Sequence, residues 1–255
     1  MLDIIRHDAI VELHLVRPPV NALDSDLVRR LRTAVESAPA QGASGLLLSG
    51  RAGMFSAGLD VPALLQLKRE ELVAFWQEFF GLCAALASSP IPVVAAIGGH
   101  SPAGGAVLAI FCDYRVMAKS SDPAKPFRIG LNEVQVGLSV PECIQFALRR
   151  LIGGYRAERL MVSGTLLDAE QALAIGLVDE LTDAEQVVTR ALAWLHDLLK
   201  LPPQAMSTTR LLCRSDLINV FADPTKLSVE EFADGWFGAE SQATLRALVA
   251  KLKKS

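Results

Sequence analysis

Several familiar signatures are missing from this sequence, and each absence removes a class of function. Positive charge is not in excess: 25 Lys and Arg stand against 28 Asp and Glu, a formal net charge of −3. That balance argues against a nucleic-acid or other polyanion partner, which usually leaves a clustered basic footprint. The four cysteines, Cys83, Cys112, Cys143 and Cys213, form no CxxC pair and no mixed Cys/His spacing. They are expected to be reduced thiols buried among apolar neighbours rather than metal ligands or a disulfide framework. The four histidines, His7, His14, His100 and His196, fall into neither metal spacing nor a Ser-His-Asp pattern. No GxGxxG or GxxxxGK[ST] run supports a dinucleotide or P-loop site. No apolar run approaches the ~20 residues that span a bilayer, so no membrane role is expected. The start, MLDIIRHDAIVELHL, has no basic-then-apolar signal pattern. A cytoplasmic protein is expected, and a mature organellar form whose transit peptide has been removed would read the same way.

What is present is a large apolar fraction, 51% of 255 residues against 21% charged, enough for one large globular domain or a domain with an extension. IVELHL (Ile10 to Leu15) alternates as a half-buried strand, and Pro18 and Pro19 end it because proline cannot donate to a ladder. Leu27, Leu31 and Val35 then recur at helical spacing, with Asp24 or Ser25 suited to cap the helix. GLLLSG (Gly45 to Gly50) and IPVVAAIGG (Ile91 to Gly99) read as buried strands, with one long helical stretch between them from Val61 to Ser89. DYRVMA after Cys112 reads as another strand. From Pro141 onward the periodicity is mostly helical, with breaks expected at Pro202, Pro203 and Pro224. Strands therefore dominate early and helices late.

Each of the two buried strands delivers a glycine-bearing loop, SAGLD (Ser56 to Asp60) and SPAGG (Ser101 to Gly105). Glycine allows close backbone approach, and a helix start leaves amide N–H groups without partners. Two such loops facing each other would make an oxyanion hole, although glycine also serves packing alone in strand-to-helix turns. In GLNEVQVGL, Glu133 stands among apolar and glycine residues, where poor hydration would raise its pKa toward neutrality. The competing reading is an exposed loop glutamate. Glu142, just after Pro141, is a rival carboxylate, and His100 adjoins the SPAGG turn.

In order and spacing over nearly the whole chain, FSAGLD, PAGGAVLAIFCDYRV, GLNEVQVGL and AERLMVSGTLLDAEQALAIGLVDEL resemble the crotonase, or enoyl-CoA hydratase/isomerase, superfamily. PPVNAL, FSAGLD, PAGG, CDYR and GLNE resemble the mitochondrial-type Δ3,Δ2-enoyl-CoA isomerases within it. The resemblance implies an α/β fold, a crotonase-type spiral of ββα repeats over residues 1–190, followed by a C-terminal helical trimerisation region over 191–255. It implies a homotrimer or a dimer of trimers, an acyl-CoA thioester substrate and no separate cofactor, CoA being part of the substrate.

The same resemblance places two backbone amides, those of Leu59 and Gly104, on the thioester oxygen, where they would stabilise an enolate. Hydratases of the superfamily use two glutamates. One lies on the first helical turn after the glycine loop, where this chain has Val107, and the other lies where it has Glu133. A lone base beside an apolar wall suits proton shuttling between C2 and C4 better than addition of water. Asn132 would shape that wall or touch substrate, and Ala22, Ala57, Gly58 and Asp60 would line the substrate and CoA site. Arg17 or a lysine of the terminal KLKKS would meet a CoA phosphate, and Trp236 and Phe237 would line the acyl tunnel or pack. Two departures stand out: SSDPAKPF lengthens the connection before GLNE, and VQVGLSVPECIQ replaces the hydratases' PGAGG turn. Two other readings stay open, a hydratase or other enolate-forming enzyme using Glu133 with Glu142 or His100, and a non-catalytic acyl-CoA-binding member.

Overall fold

A computed structural model describes residues 1–223 and 227–252. Its first element, β1 (Leu2–His7), pairs antiparallel with β2 (Ile10–Leu15). Sequence reading misses β1 because most of its residues are exposed: an edge strand with little to bury carries no hydrophobic alternation. β2 is buried on both faces rather than one. Val11, Leu13 and Leu15 enter the main core, while Ile10 joins a second cluster behind the sheet. Glu12 is also buried there, with its carboxylate held by His7 Nε2 at 2.7 Å and by the Ser49 hydroxyl at 2.5 Å.

α1 (Ser25–Ser37) starts at Asp24, whose side chain accepts from the Leu27 amide. A parallel sheet follows from β2 through β3 (Gly45–Ser49), β5 (Val93–Ile97), β7 (Tyr114–Lys119) and β9 (Glu180–Asp183). The continuous burial of β3 and β5 reflects cover on both faces, as parallel sheets require. Between these strands run short ones, β4 (Gly53–Met54), β6 (Gly99–Pro102) and β8 (Ile129–Gly130), which pair with one another in a second sheet of three strands. Each turn of the chain thus contributes a long strand to one sheet, a short strand to the other, and then helix. β3 and β4 lead to α2 (Val61–Leu64) and α3 (Arg69–Ser88); β5 and β6 lead to α4 (Gly104–Ile110); β7 and β8 lead to α5 (Glu142–Ile152). This is the expected spiral of ββα units.

Two boundaries differ from expectation. The long helical stretch from Val61 is broken after Leu64, where Asp60 caps only a single turn before α3 begins. The strand from Ile91 does not run through to the SPAGG turn. It ends at Ile97, and the chain re-enters as β6 in the small sheet, where Gly99 lies so close to Gly53 that a Cβ would overlap backbone.

The remaining helices are α6 (Gly154–Ser163), α7 (Ala169–Ala174), α8 (Val187–Leu198), α9 (Pro203–Cys213), α10 (Ser215–Ala222), α11 (Val229–Phe237) and α12 (Ala239–Leu252). α8 covers the second sheet face with Val187, Ala191 and Leu195, and Trp194 stacks on Tyr114 at 4.7 Å between ring centroids. It runs through the expected division between residues 190 and 191. Cys83, Cys112 and Cys143 are buried as expected, whereas Cys213 is exposed at the end of α9. The expected break at Pro224 and the terminal residues 253–255 of KLKKS lie outside the described residues.

α9 and α10 are tied to the core by one carboxylate. Asp113, at the end of the α4 turn, receives Arg210 at 2.8 Å, Arg214 at 3.0 Å and the Val93 amide at 2.8 Å. Arg214 also donates to the carbonyls of Phe111 and Ala87. With both guanidinium groups largely buried, removing the shared anion leaves uncompensated charge. Asp113→Ala is expected to cost about 3–5 kcal/mol, measured by chemical or thermal denaturation.

Candidate active site

Leu59 sits in an isolated parallel bridge to Leu23. The Ala57 amide donates to Val20, the Leu23 amide to Gly58 O at 2.7 Å, and the Asp60 amide to Leu23 O at 3.0 Å. In a parallel bridge that uses both polar groups of one residue, the partner's own N–H and C=O face the other way. The Leu59 amide is therefore turned away from its neighbour strand, and it has no acceptor among the described residues. The template segment is fixed by Asn21, buried at a φ of 52°. Its side-chain oxygen accepts from the Arg17 amide at 2.8 Å, its nitrogen donates to Phe55 O at 3.0 Å, and its carbonyl accepts the buried Ser56 hydroxyl at 2.8 Å.

Gly104 opens α4 across from this loop. Ala103 before it donates to Gly130 O at 2.8 Å and accepts from the Val107 amide at 2.9 Å. The Gly104 amide, first in its helix, likewise has no acceptor among the described residues. The loops touch through their glycines. A Cβ on Gly58 would lie 3.1 Å from Gly104 N, and one on Gly104 would lie 3.2 Å from Gly58 Cα. Since Leu59 N is bonded to Gly58, the two unpartnered amides are close neighbours.

The same ladder delivers Glu133. Gly130, the acceptor for Ala103, lies three residues before it, a reach of at most about 10 Å. Glu133 opens a 3-10 turn, Glu133–Val136. Its Oε2 and the Oδ1 of Asn132 are buried and have no hydrogen-bond partner among the described residues. Burial pushes the Glu133 carboxyl up to about 7, so the exposed-loop alternative does not describe it. Val107 is buried on the first turn of α4. The 3-10 turn packs against α6 and α12, with Ser241 Oγ donating to Gly137 O at 2.6 Å, and α12 in turn touches α2 just after Leu59. The Glu133 turn is thus linked through α12 to α2, the single turn that follows the Leu59 loop.

Ala22, Ala57, Gly58, Leu59, Asp60 and Gly104 come together, with Val107, Asn132 and Glu133 beyond the small-sheet ladder. Other candidates are engaged elsewhere. Glu142 is exposed at the start of α5. His100 Nδ1 accepts from the Arg128 amide at 3.1 Å and its ring meets Phe127 edge-on, while burial and then the Arg128 charge hold its pKa below the usual value. Arg17 is committed to Asp24 and Asp60, which itself caps α2, so it does not stand free for a phosphate. Trp236 is buried against Trp76 and Phe237 is exposed. No cluster of three or more metal-ligating side chains occurs among the described residues. Sequence reading passed over Asn21, the residue that locks the first loop. Its signal was an asparagine in a loop after two prolines, since asparagine tolerates positive φ better than most residues.

With this geometry, the chain belongs to the enoyl-CoA hydratase/isomerase family, whose model matches residues 6–251. It is 30% identical over 239 residues to human mitochondrial enoyl-CoA delta isomerase 1, covering 93% of this chain and 78% of that protein. It is 34% identical over 199 residues to a probable enoyl-CoA hydratase of Mycobacterium tuberculosis, covering 78% and 74%. The crystal structure of human mitochondrial delta3-delta2-enoyl-CoA isomerase superposes with a TM-score of 0.92 at 28% identity, covering 99% of this chain and 98% of that one.

Because Asn21 satisfies buried groups on two loops, Asn21→Ala is expected to destabilise the fold by about 2–4 kcal/mol. Denaturant unfolding at neutral pH measures this.

Proposed function

We propose that the chain is a Δ3,Δ2-enoyl-CoA isomerase that moves the double bond of a 3-enoyl-CoA into conjugation. The observation that carries this reading is the Glu133 carboxyl, its Oε2 buried and without a partner among the described residues and its pKa held near neutrality, with an aliphatic Val107 in place of a second acid. The thioester oxygen would rest between the Leu59 and Gly104 amides. Glu133 takes the proton from C2, and the released electron pair spreads as a dienolate from the thioester oxygen to C4. Glu133 then returns the proton to C4, leaving the double bond between C2 and C3 and the carboxylate regenerated. A preorganised donor pair of this kind contributes ~3 kcal/mol per amide to lowering the barrier. Ala22 and Ala57 offer backbone groups to the CoA moiety, and Asp60 acts through Arg17 and the α2 cap. The place of such a step is the β-oxidation of unsaturated acyl chains, and the assembly proposed with it is a homotrimer or a pair of trimers, checked by light scattering.

The mycobacterial relative's name favours a second reading, hydration of a 2-enoyl-CoA. Hydration needs a group that holds water against the alkene, and Glu142 lies out on the surface of α5. Absorbance separates the readings: conjugation of a 3-enoyl-CoA raises it in the ultraviolet, hydration of a 2-enoyl-CoA lowers it, and a binding protein does neither.

Glu133→Gln is expected to lower kcat for isomerisation by ~10³-fold or more, with acyl-CoA binding nearly unchanged, because the amide keeps the shape and cannot take the proton. Retained turnover would place the base elsewhere. In the wild type kcat/KM should rise with pH and level off above about 7 as the free carboxyl ionises. The same ionisation opposes folding, since the raised native pKa makes the buried anion unfavourable. Stability from the neutral carboxyl is complete below the unfolded value and declines as pH rises through about 7. Glu133→Gln should therefore be more stable than wild type at pH 8 by on the order of 2–3 kcal/mol, the difference vanishing in acid.

A further inference from the structure

Four non-glycine residues among those described have positive φ: Asp8, Asn21, Ala103 and Ser228. Asp8 and Asn21 are residue types that tolerate the left-handed region and occupy turns. Ala103 is neither. Its φ of 47° and ψ of −122° belong to a region where an L-residue's Cβ is crowded and glycine is the relaxed occupant. Yet the chain places alanine there and reserves glycine for the next two positions.

Three contacts hold Ala103 in this conformation. Its amide donates to Gly130 O at 2.8 Å and its carbonyl accepts from Val107 N at 2.9 Å. Its methyl lies against Gly58, since a Cβ added there would come within 3.0 Å of the Ala103 Cβ. The peptide joining Ala103 to Gly104 is planar and trans, so the Gly104 N–H points opposite to the Ala103 carbonyl. That carbonyl is tied inward to α4, which aims the N–H outward, on the side where Gly58 and Leu59 stand. Glycine at 103 would give this peptide other ψ wells and let the amide swing.

We propose that Ala103 is a positioning residue, its methyl wedged against Gly58 so that the 103–104 peptide keeps the Gly104 N–H directed at the thioester oxygen beside the Leu59 N–H. This rests on the amide-pair reading of the site. The strain is held by the β6–β8 ladder and the first turn of α4, and it lies in the one peptide whose direction matters most to an enolate.

The test compares wild type, Ala103→Gly and Ala103→Ser by turnover of a 3-enoyl-CoA, by thermal midpoint, and by the absorption of a bound aryl-acryloyl-CoA, whose band moves to longer wavelength as its thioester carbonyl is polarised. Ala103→Gly is expected to lose about tenfold in kcat with KM within about twofold, and to show a smaller band shift at unchanged affinity. Its midpoint should be no lower than wild type, because the strain is relieved. Ala103→Ser, which keeps the Cβ, should recover most of the loss. The proposal is overturned if Ala103→Gly matches wild type in kcat and band shift, if its losses track a fall in midpoint, or if Ala103→Ser is as impaired as Ala103→Gly. A wild type that neither turns over substrate nor shifts the band overturns the amide-pair reading itself, and Ala103 with it. A wild type that shifts the band as strongly as Ala103→Gly leaves the pair standing and removes only the role of Ala103.

Discussion

The contact between Gly58 and Gly104 is the constraint on which the rest of the site depends. Two strand-to-helix loops from successive turns of the spiral can present their amides side by side only if neither carries a side chain at the point of approach, and both positions are glycine. The approach is built twice over. From one side, Val20 to Leu23 acts as a template that pairs with alternate groups of the first loop and leaves the Leu59 amide facing away. From the other, the small sheet β4, β6 and β8 fixes the height of the second loop through Gly99 against Gly53 and Ala103 against Gly130. Neither loop would hold its amide open alone, because an unpaired backbone donor in a buried setting is costly and tends to find a partner.

A related cost sets the chemistry open to the acid at position 133. A carboxylate in water is a weak base, and desolvation changes this by penalising the charged form. Here the cause is burial, with only the turn's own backbone hydrogen bond opposing it. Among the described residues no cation offsets the shift, whereas the largely buried Asp113 is held by two arginines and the buried Glu12 by His7 and Ser49. Asp179 keeps Arg115 as its partner. The contrast between acids that are neutralised and one that is left alone distinguishes a structural carboxylate from a candidate base.

Much of this was legible in the residues. Glycine spacing after two apolar runs located both loops, and the apolar surroundings of Glu133 indicated a raised pKa. The two-sheet division was not legible, because β4 and β8 are too short to carry a periodic pattern, and IPVVAAIGG runs into HSP without a break in composition, although the chain changes sheets there. β1 was lost for the opposite reason, as an edge strand with exposed Ile4 and Ile5. Arg17 looked free because its partners Asp24 and Asp60 are 7 and 43 residues away, and pairing at such separations is a property of the fold. Asn21 and Ala103 escaped because their importance lies in backbone angles, which composition does not encode.

The C-terminal helices link the core to the Glu133 turn. Asp113 sits where α4 ends and binds the arginines of α9 and α10, so the helix that begins with Gly104 ends at the anchor of the C-terminal region. That region continues through α11, whose Phe232 and Trp236 pack on the aromatic row of α3, into α12, whose Ser241 holds the carbonyl of Gly137. Gly137 closes the turn that begins at Glu133. A continuous path of packing therefore runs from the foot of the amide-bearing helix, around the outside of the protein, to the back of the carboxylate. The Glu133 turn is held from two directions, by the β6–β8 ladder inside and by this helical strap outside. Proton transfer between two carbons needs one carboxyl within hydrogen-bond reach of both, and a group held only by its own loop would not keep that geometry.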